Sequence, residues 1–321
     1  MGSSANPVLD VENLVVDYGK GKKASRAVRG ISFKVWPGEC VGFIGANGAG
    51  KSTTMKAIMG FIFPKSGSVK VFGAPAGTVE SRRRLGYLPE VAMYYPFMKA
   101  RELLELYGGL QGLSSADLKS RIPEILDEVG LSGKGNVLLK NFSKGMQQRL
   151  GIAQAIIADP DFLIFDELSS GLDPLGRHDL RGVLLKLREK KRTIFFSSHE
   201  LSEVESLCDR VIMIDQGELV AEASVQDLMK PLNIYELVCE IPESISPNEI
   251  FQNVRAERDG NTWTAEFTDV DKYSHALQAL SAASGKVLHT GSRNKSLEDY
   301  FIELVQRRRG GATPGTVGMR R

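Results

Sequence analysis

The segment G-A-N-G-A-G-K-S at 45–52 constrains this chain more than any other. It lies between an apolar run at 40–44 and a helical pattern over 52–59. It fits the strand–loop–helix pattern G-x-x-x-x-G-K-[ST]. The residues Gly45, Ala46, Asn47, Gly48, Ala49 and Gly50 would turn their backbone N–H groups onto phosphate oxygens. A Cβ at the three glycines would block that conformation. The helix that follows presents its positive end to the same anion. Lys51 would neutralise the β- and γ-phosphates and the Ser52 hydroxyl would ligate Mg²⁺, with Thr53 next in the first turn. The bland alternative is an ordinary glycine-rich turn.

The remaining elements predict an α/β sheet with an inserted helical block. Strands are expected at 8–16, 27–35 and 40–44. Short strands and turns follow over 63–88, and helices from about 99 to 158. Strands at 162–165, 193–197 and 210–214 then alternate with helices near 177–190 and 201–208. The strand F-L-I-F ends in Asp166 and Glu167. A continuous apolar run marks a strand buried on both faces, and ligands gather at the C-terminal ends of such strands. Asp166 would hold the Mg²⁺ shell, and Glu167 would orient and deprotonate an attacking water. Alone, an Asp-Glu pair after a strand reads as a polar turn.

Composition bears on partners and compartment. The 321 residues are 42% hydrophobic and 25% charged, the balance of a soluble globular protein. The net charge is +2, but Arg307, Arg308, Arg309, Arg320 and Arg321 sit in the last fifteen residues, and without them it becomes −3. The body therefore lacks the charge of a general nucleic-acid binder, and no nucleic acid is expected as a partner. Cys40, Cys208 and Cys239 form no C-x-x-C pair and are odd in number, which suits reduced thiols in the cytoplasm. No 18-residue apolar run crosses a membrane.

Three further segments accompany the phosphate loop and the acidic pair. They are N-F-S-K-G-M-Q-Q-R-L at 141–150, S-S-G-L-D-P at 169–174 and F-F-S-S-H-E at 195–200. In this order the set resembles the nucleotide-binding subunit of ATP-binding cassette (ABC) transporters, over about residues 8–222. The resemblance implies a P-loop ATPase fold with a helical subdomain at about 95–158, and ATP and Mg²⁺ as cofactors. It implies that Tyr18 stacks on adenine; a plain strand tyrosine is the alternative. Ser143 and Gly145 would contact the γ-phosphate of ATP held by another subunit, although Ser143 also reads as a helix N-cap. Asp173 would sit at the dimer contact, and His199 would reach the γ-phosphate. The working unit would be a homodimer, or a pair with a paralogous ATPase subunit. It would be peripheral on the inner face of the plasma membrane, bound through an integral membrane permease. Two alternatives stay open: a soluble cassette ATPase acting on nucleic acid or ribosomes, and a regulatory cassette that binds ATP without turnover.

Departures from the family pattern are visible. F-S-K-G-M stands for the usual L-S-G-G-Q, and Leu168 replaces a common Pro. Glu90, expected at the nucleotide and metal, stands where a Gln normally senses Mg²⁺ and water. A carboxylate keeps the acceptor and loses the amide donor. Just after it, Met93, Tyr94, Tyr95 and Phe97 surround Pro96. They would either pack inside the helical block or line a groove for a short helix of the permease. Beyond residue 222, a β-α-β-β-α-β-α order over 233–306 predicts a small ferredoxin-like α+β accessory domain. It resembles that of bacterial drug- and antibiotic-type exporter ATPases, down to K-S-L-E-D-Y-F-I-E-L at 295–304. The basic tail, 307–321, is expected to be disordered.

Overall fold

The computed structural model describes residues 6–19, 25–198, 200–228, 234–242, 244–252, 254–293 and 300–302. The chain divides into two compact units, the first ending at Val225 and the second running from Gln226 to Glu303. The expected last helix over 296–306 is described only at 300–302, which are helical, and the basic tail lies outside the described residues.

The first unit is built on two sheets. Strands β1 (Leu9–Tyr18), β2 (Ser25–Val35), β4 (Ser66–Val71) and β5 (Ala74–Pro75) form an antiparallel sheet in the order β2-β1-β4-β5. The second sheet carries β3 (Cys40–Ile44), β6 (Leu85–Leu88), β7 (Phe162–Phe165), β8 (Thr193–Ser198), β9 (Arg210–Asp215) and β10 (Glu218–Ser224). Its order is β10-β9-β3-β8-β7-β6, and all neighbours are parallel except the β10 edge. Phe33 on β2 stacks against Phe43 on β3 and Phe195 on β8, with ring centroids 5.7 Å apart in both cases. These buried rings, with Met55 and Ile58 beneath the loop helix α1 (Lys51–Ile58), join the two sheets in one core. Each such aromatic pair contributes about 0.5–1.5 kcal/mol beyond its buried area.

Strand β10 has no counterpart in the sequence reading. Its residues are half-buried or exposed with no alternation, so it carries no strand periodicity. Its turn is Gln216–Gly217, with φ of 49° and 82°. Positive φ at both central residues is the two-residue hairpin geometry that suits strand twist. Gln in place of Asn or Asp hid it. The short helix α2 (Val79–Arg82) likewise interrupts a stretch read as strands and turns.

The helical block holds α3 (Ala100–Leu110), α4 (Ser115–Glu128) and α5 (Lys144–Ile156), with a single 3-10 turn at Leu139–Asn141. Ser114 caps α4 by accepting from the Asp117 N–H, and the Asp117 carboxylate accepts from the Ser114 N–H in return. Helices α6 (Pro174–Glu189) and α7 (Leu201–Leu207) follow β7 and β8, and the four-residue helix α8 (Val225–Leu228) follows β10.

The second unit runs β11 (Ile234–Glu240), α9 (Pro247–Phe251), β12 (Ala256–Asp259), β13 (Thr262–Phe267), α10 (Val270–Ala282) and β14 (Lys286–Arg293). Its sheet is antiparallel in the order β12-β13-β11-β14. Leu237, Cys239, Ala265 and Phe267 on one sheet face pack with Phe251, Ala276 and Leu280 of the helices. This core is separate from that of the first unit.

Candidate functional site

The phosphate loop is shaped by close backbone approach. A Cβ at Gly45 would lie 2.2 Å from the Ile214 carbonyl oxygen on β9. Gly50 has φ of 111°, and a Cβ there would lie 2.7 Å from the Ala27 carbonyl oxygen. Only glycine lets the loop settle between β9 and β2 in this form. Helix α1 starts at Lys51 with no side-chain cap and no acid in its first turn. Its first amide groups are therefore left for a ligand. The Lys51 side chain is 4% exposed. Its Nζ donates to the carbonyls of Gly45 at 2.7 Å and Ala46 at 3.3 Å, and lies 3.1 Å from Glu167 Oε1.

The carboxylates arrive from the neighbouring strands. All of β7 is buried, so the chain delivers Asp166 and Glu167 at its C-terminal end. Asp166 Oδ1 accepts from the Ser197 hydroxyl at 2.6 Å and the Ser52 hydroxyl at 3.4 Å. The Glu167 N–H donates to the same Ser197 oxygen at 2.9 Å. Glu167 adopts φ of 48°, an uncommon conformation for a side-chain-bearing residue. Burial pushes the Asp166 carboxyl up, and the Glu167 charge adds to this; hydrogen bonds from Ser197 and Ser52 and the Lys51 charge oppose it. The Tyr87 hydroxyl is pushed up to about 12, by burial first and then by Asp166.

Asn47, Gly48, Gly50, Lys51, Ser52, Thr53, Glu90 and Glu167 line one cavity of about 350 Å³, joined by Ala27 and Ser170. Tyr18, 43% exposed, places its hydroxyl 3.3 Å from Thr53 Oγ1. The oxygen donors Ser52, Asp166 and Glu90 suit a hard cation such as Mg²⁺. Among the described residues no group of three or more His, Cys, Asp and Glu side chains could cage a metal.

The chain is similar to known proteins over most of its length. Residues 28–170 match the family model described as ABC transporter. An uncharacterized ABC transporter ATP-binding protein of Nostoc is 38% identical over 283 residues, spanning 88% of this chain and 84% of that protein. The chain belongs to the ABC transporter ATP-binding proteins. A Nod factor export ATP-binding protein I of Paraburkholderia xenovorans is 32% identical, over 91% of this chain and 97% of its own length. A solved ATP-binding subunit of an ABC transporter, 33% identical, aligns over 70% of this chain and 92% of its own with a TM-score of 0.61. The protein is thus an ABC ATPase.

The ABC ATPase does not gather every expected residue into the cavity beside Lys51. Ser143 caps α5, its hydroxyl accepting from the Met146 N–H at 3.2 Å. Asp173 caps α6 through the Gly176 N–H at 2.8 Å. The two helix starts are neighbours, since a Cβ at Gly145 would lie 3.7 Å from the Gly176 Cα. Ser143, Gly145 and Asp173 therefore form a separate patch, and none of them lines the cavity. His199 lies outside the described residues. Tyr94 belongs to the helical block: its hydroxyl donates to Gln154 Oε1 at 2.9 Å, and burial pushes its pKa up. Met93, Tyr95 and Phe97 are exposed, so the aromatic cluster splits between interior and surface. Sequence reasoning missed Ser197, Ala27 and Ser170. Ser197, the first polar residue after the apolar run 194–196 of β8, was the one with a visible signal.

The raised Asp166 pKa carries a sign for stability. Below the ordinary carboxylate range, folded and unfolded chains are both protonated and Asp166 costs nothing. As pH rises, the unfolded chain ionises first, so stability falls until the folded pKa is passed. Asp166→Asn in metal-free buffer is expected to raise Tm at pH 7, with the gain vanishing in acid. An unchanged or lower Tm at pH 7 would contradict this reading of Asp166.

Proposed function

We propose that this ABC ATPase drives export of a solute through a separate integral membrane permease. It would lie on the cytoplasmic face of the membrane and act as a homodimer or paired with a paralogous subunit. Export is supported by relatives named for export, such as the Nod factor protein. Among the described residues no helix is long and apolar enough to cross a membrane, so the path for solute needs another chain. One observation carries the dimer: the cavity with Lys51 and the patch with Ser143, Gly145 and Asp173 are separate within one chain. A two-fold pairing would close each cavity with the other chain's patch, two ATP molecules lying between.

Hydrolysis in such a site is positioning and charge stabilisation. Tyr18 would stack on adenine, and the loop amides and Lys51 would hold the β- and γ-phosphates. Mg²⁺, held by Ser52 and Asp166 with Glu90 beside them, would neutralise charge on the phosphate oxygens. Glu167 would take a proton from water as the water oxygen bonds to the γ-phosphorus. The bond from that phosphorus to the β–γ bridging oxygen then breaks, leaving ADP and phosphate. Lys51 and Glu167 are already paired at 3.1 Å, so phosphates drawing the ammonium away would free the carboxylate for water. Ser143 of the opposite chain and His199 would complete the γ-phosphate contacts.

The exposed Met93, Tyr95 and Phe97 follow Glu90 of the cavity in the chain, and the Tyr95 and Phe97 rings pack 5.5 Å apart. We assign this surface to the groove that receives a helix of the permease. The unit built on β11–β14 is read as the ferredoxin-like accessory domain, supported by its strand order.

Glu167→Gln is expected to lower turnover at least about 100-fold while retaining ATP and trapping a dimer, a loss of the size seen for single catalytic groups. Lys51→Ala should weaken ATP binding itself. Radiolabelled ATP hydrolysis with size-exclusion chromatography separates the two, and retained turnover in Glu167→Gln would overturn the assignment. Phe97→Ala should keep the basal ATPase rate and lose co-purification with the permease. Unchanged co-purification would remove this surface from the interface.

A further inference from the structure

Two side chains tie the segment after Glu167 to Ser198 and Glu200, and the chemistry above uses neither. Glu203, half-buried on α7, accepts at its Oε2 from the Ser169 hydroxyl at 2.8 Å. The Ser198 hydroxyl lies 3.2 Å from the same oxygen and 3.3 Å from the Glu200 carbonyl. The Ser198 oxygen in turn accepts from the Glu200 N–H at 2.9 Å. One carboxylate thus links Ser169, two residues past Glu167, to Ser198, the last residue of β8. Arg177 on α6 makes the second tie. Its Nε donates to the Leu172 carbonyl at 3.2 Å and its Nη1 to Glu200 Oε1 at 2.8 Å. Ser169 and Ser198 are 4% and 1% exposed, so these hydroxyls compete with little water.

A carboxylate in such surroundings has no structural bargain of its own. Burial pushes the Glu203 carboxyl up and the Glu200 charge adds to this, while the two hydroxyls and Arg177 pull it back. Apolar packing at this position would avoid that cost. What the carboxylate supplies is direction, since its Oε2 meets hydroxyls from two segments, Ser169 after β7 and Ser198 at the end of β8. The Glu167 N–H is held from the β8 side through Ser197, and Gln148 on α5 donates to the Leu168 carbonyl at 2.9 Å. Besides the Lys51 contact to Glu167, residues 167–169 are therefore held by Ser197, Gln148 and Glu203, and the Glu203 grip is shared with Ser198.

We infer that Glu203, with Arg177 as a second tie, is a positioning residue for ATP hydrolysis that sets the segment bearing Glu167 against the end of β8 at Ser198. A displacement on the order of 1 Å between reacting groups costs up to about 100-fold in rate, so a tie of this kind acts on turnover more than on binding. The inference rests on Glu167 as the base. If that assignment failed, Glu167→Gln would retain turnover; failure of the inference shows instead as unchanged turnover in the variants below while Glu167→Gln is inactive.

The test is steady-state ATPase kinetics on the full chain, with ATP affinity and Tm measured on the same preparations. Glu203→Ala is expected to lower kcat about tenfold, with ATP affinity within about twofold of wild type. Glu203→Gln keeps an acceptor oxygen and should recover kcat to within about threefold of wild type. Ser169→Ala, which removes a single hydroxyl, should lower kcat at least about threefold, and combining it with Glu203→Ala should slow turnover no further. A purely structural role would instead lower Tm and ATP affinity together, with no recovery by Gln. If Glu203→Ala fails to fold, Ser169→Ala alone decides: kcat within about 1.5-fold of wild type overturns the inference. Additive losses in the double variant overturn it equally.

Discussion

The contact on which the site depends is that of the Lys51 ammonium with the Gly45 and Ala46 carbonyls and the Glu167 carboxylate. A buried ammonium needs partners on every side. The two carbonyls belong to the loop itself, so the lysine folds back over the turn it follows and holds it closed. The carboxylate follows β7, which lies two strands from β3 in the sheet order. One side chain therefore joins the loop after β3 to the segment after β7. It can do so only because Gly45 and Gly50 let the loop lie against the Ile214 and Ala27 carbonyls.

The parallel sheet supplies the rest of the register. Strands β3, β7 and β8 end at the same edge, so Gly45, Asp166 and Ser197 arrive as neighbours without long connections. Ser197 bonds both the Asp166 carboxylate and the Glu167 amide. The aromatic stack of Phe33, Phe43 and Phe195 lies on these same strands and anchors them to the antiparallel sheet. Rigidity at the site is thus a property of the core beneath it, and the left-handed Glu167 is held by surroundings that over-determine it.

Much of this was legible in the chain itself. Runs such as Cys40–Ile44 and Phe162–Phe165 are unmixed apolar stretches, so their limits are read directly as buried parallel strands. The loop glycines and Lys51 declare themselves by type and spacing. What stayed hidden depended on tertiary partners. Ser197 is an ordinary serine until β7 and β8 pair, and Glu203 a helix carboxylate until Ser169 and Ser198 meet it. Strand β10 was invisible because an edge strand with half-exposed residues has no pattern to show. Tyr94 and Tyr95 are adjacent in sequence with opposite fates, one bonded to Gln154 and the other 61% exposed, a split that no spacing rule separates.

The proposed two-chain site rests on two patches that one chain keeps apart. The cavity at Lys51 has no Ser143, and the α5–α6 start has no phosphate loop. The direct measurement is ATPase activity in mixtures of two crippled chains. Lys51→Ala disables the loop and leaves the patch. Gly145→Asp places a carboxylate at the patch and leaves the loop; its Cβ would meet the Gly176 Cα at 3.7 Å and the Leu172 Cδ2 at 4.0 Å, both ordinary contacts, so the fold is expected to be kept. Neither variant alone forms an intact composite site, but half the dimers in an equal mixture hold one. Activity near zero for each variant, rising to about a quarter of wild type on mixing, is the result that a two-chain site predicts. Full activity in Gly145→Asp alone, or no recovery on mixing, would contradict it.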